Sequence, residues 1–153
     1  MKPNILKLTA ILLISAGSFS SCSKKGDSEP MEIPFKEYSL AGTGCWWINI
    51  EPDEVIVINN NKELEKYIAC SDDVDYPIVN FSKHTLLLTG GITSCCGVWN
   101  IDSFFSKNRK KEYTLKVTIH LTITAFAEPW TIAVFTSKIS DDTNIVLNVE
   151  EIY

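Results

Sequence analysis

The chain has 153 residues, with 14 Lys and Arg against 19 Asp and Glu, and a formal net charge of −5. That mildly acidic balance argues against nucleic-acid binding, which relies on clustered Lys and Arg to neutralise phosphates. Val, Ile, Thr, Tyr, Phe and Trp dominate the second half of the chain, which favours sheet over helix.

The first stretch with a pattern is Leu8 to Cys22, LTAILLISAGSFSSC. Lys2 and Lys7 precede an apolar run from Leu8 to Ala16, and Ser20 and Ser21 lead directly into Cys22. This is the n-region, h-region and small-residue end of an export signal. The run is shorter than the roughly 20 apolar residues a membrane span needs. Phe19, Ser20, Ser21 and Cys22 resemble the lipobox of bacterial lipoproteins, with Phe19 standing where the usual box has leucine. The resemblance implies cleavage after residue 21, lipid on the Cys22 thiol and amino group, and attachment to a membrane through Cys22. Several acyl chains hold a protein stably where one is marginal. Removing residues 1–21, whose only charges are Lys2 and Lys7, would take the net charge from −5 to −7. Roughly 130 residues then remain, the size of one domain.

Residues 22–34, of which Ser23 to Pro34 read SKKGDSEPMEIP, are polar and broken by two prolines, as expected of a flexible tether. Lys24, Lys25 and Asp27 resemble the signal that follows the lipidated cysteine in surface-exposed lipoproteins of some Gram-negative bacteria. Ser23 beside Cys22 implies, by the same resemblance, the outer membrane rather than the inner. A single β-rich domain is expected over 35–153. Phe35 to Leu40 reads as an edge strand. In CWWINI, Cys45 to Ile50, alternate residues share a face, so Trp46, Ile48 and Ile50 point one way and Cys45, Trp47 and Asn49 the other. Glu54 to Asn59 is a third strand. Asn60 with Glu63 three residues on has the form of a helix cap. Leu64, Tyr67 and Ile68 follow at helical spacing, predicting one short helix over about 61–69. The acidic loop Ser71 to Asp75 lacks the central glycine and distant glutamate of a calcium loop.

Pro77 to Gly91 gives a short strand, a link and a strand over Thr85–Thr89, ended by Gly90 and Gly91. Cys96 to Phe105 is the next strand. Lys107, Arg109, Lys110 and Lys111, in SKNRKKE, form a solvated hairpin tip. Glu112 to Phe126 is the longest predicted strand, with Leu115, Val117, Ile119, Leu121 and Ile123 on a buried face and Lys116, Thr118, His120, Thr122 and Thr124 on a polar one. Pro129 to Lys138 and Ile145 to Ile152 complete the set. The expected fold is mainly β, an antiparallel sandwich or barrel-like sheet with one short α-helix.

Four cysteines besides Cys22 are disulfide candidates: Cys45, Cys70, Cys95 and Cys96. Three connectivities are open. A bond between neighbours Cys95 and Cys96 needs an unusual backbone, so Cys45 and Cys70 are expected each to pair with one of them. A four-thiolate metal site is the rival, but the paired C-x-x-C spacing is missing, and neither metal nor cofactor is expected. Catalysis by a nucleophile needs a base within reach. The chain offers only His84 and His120, and both read as ordinary surface or half-buried histidines. No catalytic set is expected. Trp46, Trp47, Trp99 and Trp130 could stack on sugars or partner side chains, with Trp47 the expected exposed ring. The threonine face around His120 is a second possible ligand-binding surface.

The succession NFSKHTLLLTGG, GVWNI, EYTLKVTI and PWTIAVFTSKIS is similar to the carboxy-terminal domain of the PrcB family of protease-complex lipoproteins, over roughly Val79 to Ser140. Phe81, Ser82, Lys83, Gly91, Gly97, Pro129 and Lys138 fit the family pattern. Asn80 stands in place of an aspartate, and Cys95-Cys96 in a turn without cysteines. The resemblance implies a non-catalytic subunit that assists another envelope protein. Glycan or small-ligand binding at the cell surface is the alternative, on the strength of the tryptophans.

Overall fold

A computed structural model describes residues 30–108 and 112–153. Cys22, the leader, most of the tether and Arg109 to Lys111 lie outside the described residues. The elements are β1 (Met31–Glu32), β2 (Phe35–Glu37), β3 (Cys45–Trp47), β4 (Ile56–Ile58), α1 (Asn61–Leu64), β5 (Ile68–Cys70), β6 (His84–Ile92), β7 (Val98–Lys107), β8 (Tyr113–Leu121), β9 (Pro129–Ser137) and β10 (Ile145–Ile152). One four-stranded sheet runs β1-β7-β8-β10, a second β2-β9-β6-β4, and β3 pairs with β5. The fold is mainly β and sandwich-like, as the sequence predicts.

Burial explains why the two long sheets differ in sequence. Leu115, Val117, Ile119 and Leu121 of β8 point inward, and Phe105, Leu87, Trp130, Ile132 and Val134 join them in one core drawn from both sheets. β8 therefore alternates. Strand β6 does not, because Leu86 and Leu88 on its other face enter a second core with Ile58, Leu64, Ile68, Tyr38 and Cys45. Covered on both faces, it reads as the continuous run TLLLT, the mark of a strand without a wet side.

Several expectations change. Gly90 and Gly91 do not end a strand; they continue β6 to Ile92. A Cβ on Gly90 would lie 2.8 Å from the Trp130 carbonyl oxygen, and one on Gly91 3.0 Å from the Trp130 indole, so the glycines permit close approach of β9. Strand β8 stops at Leu121, short of Phe126, because its neighbours end there: β7 begins at Val98, opposite Leu121, and β10 ends at Ile152, opposite His120. Ile123, expected on the buried face, is 99% exposed. Met31 and Glu32, expected in the tether, pair with Lys107 and Ser106. Strand β10 lies parallel to β8, with Ile145 opposite Tyr113 and Ile152 opposite His120. The chain crosses to the other sheet as β9 between them and so returns in the original direction.

The helix is shorter than its periodicity suggests. Asn60 caps it as expected, its side chain accepting from the Glu63 N–H at 2.9 Å. Lys66 and Tyr67 then donate only three residues back, to Glu63 and Leu64, which tightens the last turn. Ile68 to Cys70 leave as β5, pairing Cys70 with Cys45, Ala69 with Trp46 and Ile68 with Trp47. That register corrects the disulfide expectation: Cys45 is bonded to Cys70, and Cys95 and Cys96 are free.

Candidate functional site

Strand pairing brings three segments to one end of the sandwich. Ile92 of β6 faces Pro129 of β9, Val98 of β7 faces Leu121 of β8, and Ile152 of β10 faces His120. The loops 93–97 and 122–128 and the residue after β10 therefore crown the same edge. Hydrogen bonds join them into a frame. The Thr93 hydroxyl donates to the Cys96 carbonyl at 2.5 Å and accepts from the Glu128 N–H at 2.8 Å. A Glu128 carboxylate oxygen accepts from the Val98 N–H at 2.7 Å. Glu151 accepts from the Ser94 N–H at 2.9 Å and from its hydroxyl. Gly97 lets the side chains close over the crossing, since a Cβ there would meet the Thr124 and Thr122 hydroxyls and the Glu128 carboxylate at 2.6, 2.9 and 3.0 Å.

On this polar frame, beside the exposed Ser94 and Thr124, several large apolar side chains are also exposed. Ile92, Trp99, Ile123, Phe126 and Tyr153 show between 59% and 99% of their surface. Such chains scattered singly need no explanation, but their gathering at one built edge does. Two thiols lie within the frame. Cys95 is exposed and Cys96 buried, with the Tyr153 hydroxyl 3.1 Å from the Cys95 sulfur and 3.6 Å from the Cys96 sulfur. Contacts from Cys96 and then Tyr153 hold the Cys95 thiol below the usual thiol range. The Cys95 contact pushes Cys96 up, and the two sulfurs, Cys95 first, raise the Tyr153 phenol.

Beside them, on the outer face of the β7-β8 pair, His120 Nε2 lies 2.6 Å from Asp102 Oδ2. Trp99 packs edge-on to its ring at 5.2 Å. The His120 contact, then that of the Asn100 amide, holds the Asp102 carboxyl below the usual range. His120 thus sits in a polar and aromatic cluster, on the face expected from the period of β8. Its partner is a carboxylate and that of the Cys95 and Cys96 thiols is a phenol, so among the described residues these thiols and His120 are not hydrogen-bonded to each other. His84 is elsewhere, its Nδ1 3.1 Å from the Thr136 carbonyl and its ring edge-on to Phe135. Among the described residues, no three His, Cys, Asp or Glu side chains are placed to hold a metal ion.

Trp47 is a correction. It is half-buried against Tyr38, ring centroids 5.8 Å apart, while its neighbour Trp46 is exposed. The Cys45–Cys70 bond turns the Cys45 and Trp47 face inward, which periodicity cannot reveal. Trp46, Trp47 and Tyr38 line a groove of about 430 Å³. Burial, and then the nearby Tyr76 phenol, push the Tyr38 hydroxyl from 10.0 up to about 12, and it donates to the Pro77 carbonyl at 2.6 Å. The neutral phenol is the folded form, so its stabilisation is whole below pH 10 and is lost as pH rises through about 12. Tyr38→Phe is expected to cost about 1 kcal/mol at neutral pH. Its denaturation midpoint should fall less than that of the wild type over this alkaline window. Equal slopes in the two proteins would refute the assignment.

Sequence reasoning missed Tyr153, Trp99, Ile123 and Phe126 as members of one site, since they come from three separate loops and strand ends. The fold and site define a β-sandwich-like domain with an apolar, thiol-bearing loop end. No family model, curated protein or solved structure matches the chain.

Proposed function

We propose that this is a lipid-anchored, non-catalytic envelope lipoprotein that serves as an accessory subunit, docking its loop end on another protein of the outer membrane. The observation that carries the reading is the apolar rim of Trp99, Ile123, Phe126, Ile92 and Tyr153 on a frame already fixed by internal hydrogen bonds. A preformed apolar surface binds a protein without the cost of ordering loops, and aromatic anchors dominate such interfaces. The lipobox at Cys22 supports the location, and the likeness of residues 79–140 to the PrcB family supports the accessory role.

The test is purification of the tagged, lipidated chain from its own host in mild detergent, alongside Phe126→Asp and Trp46→Ala variants. A stoichiometric envelope protein is expected with wild type and with Trp46→Ala, and its yield should drop at least about tenfold with Phe126→Asp, the cost of one lost anchor. A chain that returns alone, or a partner indifferent to Phe126, overturns the proposal. A second reading, binding of a sugar or similar small ligand, is favoured by the Tyr38, Trp46 and Trp47 groove. Loss of the partner or ligand with Trp46→Ala instead would select it.

A further inference from the structure

We propose that Cys95 and Cys96 are a thiol–disulfide exchange site for small-molecule disulfides, with Cys95 as the attacking thiol and Cys96 as the resolving one. The two stand apart from the bridged Cys45–Cys70 pair. Cys95 is open to solvent and Cys96 is covered, so an incoming disulfide meets Cys95 first. The Tyr153 hydroxyl, within reach of both sulfurs, is a hydrogen-bond donor to whichever one carries the charge. The loop is held by Thr93, Ser94, Glu128 and Glu151, so the sulfurs keep their places without a bond between them.

The chemistry balances with the disulfide as oxidant. The Cys95 thiolate attacks one sulfur of RSSR, forming a mixed disulfide between the Cys95 sulfur and SR as the S–S bond of RSSR breaks and the first RS⁻ leaves. Cys96 then loses its proton to water and attacks the Cys95 sulfur, forming the Cys95–Cys96 bond and releasing the second RS⁻. Both cysteines are oxidised and the small disulfide is reduced to two thiols. Neighbouring Cα atoms are about 3.8 Å apart across a trans peptide, closer than the roughly 4.4–6.8 Å that disulfides prefer. The ring is therefore easily reopened, and the oxidising equivalents pass readily to the next thiol. The thiolate bias of Cys95 over Cys96 assigns the order of attack, against the opposing charge of Glu151. The site shares Tyr153 with the apolar rim, so the chemistry is tested on the isolated chain, where no docked partner covers Cys95.

The experiment uses the full chain carrying Cys22→Ser, so that no third thiol contributes, and an aromatic disulfide whose released thiolate is coloured. Two equivalents of coloured thiolate per chain are expected, with a product two hydrogens lighter and no retained adduct. Cys96→Ser should stop at one equivalent and keep a mixed disulfide on Cys95. Cys95→Ser should react about tenfold more slowly, as a covered thiol does. Tyr153→Phe should move the pH midpoint of the rate up toward the ordinary thiol value of about 8.5. Two retained adducts on the parent chain, no reaction, or a first adduct formed on Cys96 would overturn the proposal. Since Cys95 and Tyr153 are exposed, their substitution leaves the core intact, which unchanged thermal unfolding would verify.

Discussion

Replacing Cys22 by serine is expected to move the protein from the membrane fraction to the soluble one almost completely. Each buried CH₂ of an acyl chain contributes about 0.8 kcal/mol, so two or three chains hold a protein against dilution while none leaves it free. Among the described residues no helix is long and apolar enough to cross a membrane, so nothing in that part of the chain offers a helical substitute for the lipid. Fractionation in high salt, followed by mass measurement of the amino-terminal peptide, is the check. A Cys22→Ser protein that still pellets, or an unmodified Cys22 in the native chain, would remove the lipoprotein reading and with it the proposed location.

The second large effect concerns the bond between Cys45 and Cys70, which closes a loop of 25 residues. In the chain-entropy model such a closure contributes on the order of 3 kcal/mol by restricting the unfolded chain. Cys45→Ala with Cys70→Ala should therefore lower the stability by about that amount, read from chemical denaturation. The damage should centre on the outer core of Tyr38, Leu64 and Ile68. Hydrogen exchange is expected to rise first in β3, α1 and β5, while the β7-β8-β10 ladder stays protected. Uniform loss of protection across both sheets would mean that the small β3-β5 sheet is integral to the sandwich core.

Much of this was legible in the chain itself, and the reasons are local. The period-two pattern of Leu115, Val117, Ile119 and Leu121 fixed β8 and its inner face, since a strand with one wet side has no other way to place its residues. Asn60 and Glu63 announced the helix start through backbone donors they satisfy within one turn. Ile145 to Ile152 is a strand with the predicted bounds. His120 on the polar face followed from the same alternation, though its Asp102 partner lies on the neighbouring strand.

What the tertiary structure decided was pairing. Alternation assigns Trp46 and Trp47 to opposite faces, but only the Cys45–Cys70 register says which face is covered. The adjacency of Cys95 and Cys96 points away from a Cys45–Cys70 bond only if all four cysteines are bonded, whereas two of them are free. The parallel return of β10 depends on β9 crossing to the second sheet, and the glycine pair at 90 and 91 reads as a stop until Trp130 is seen lying against it. The loop end is the clearest case: Ile92, Cys95, Trp99, Ile123, Phe126 and Tyr153 span 62 positions of sequence. A sequence fixes the period and the local caps because neighbours along the chain interact whatever the fold; which distant residues meet is set by how the sheets stack.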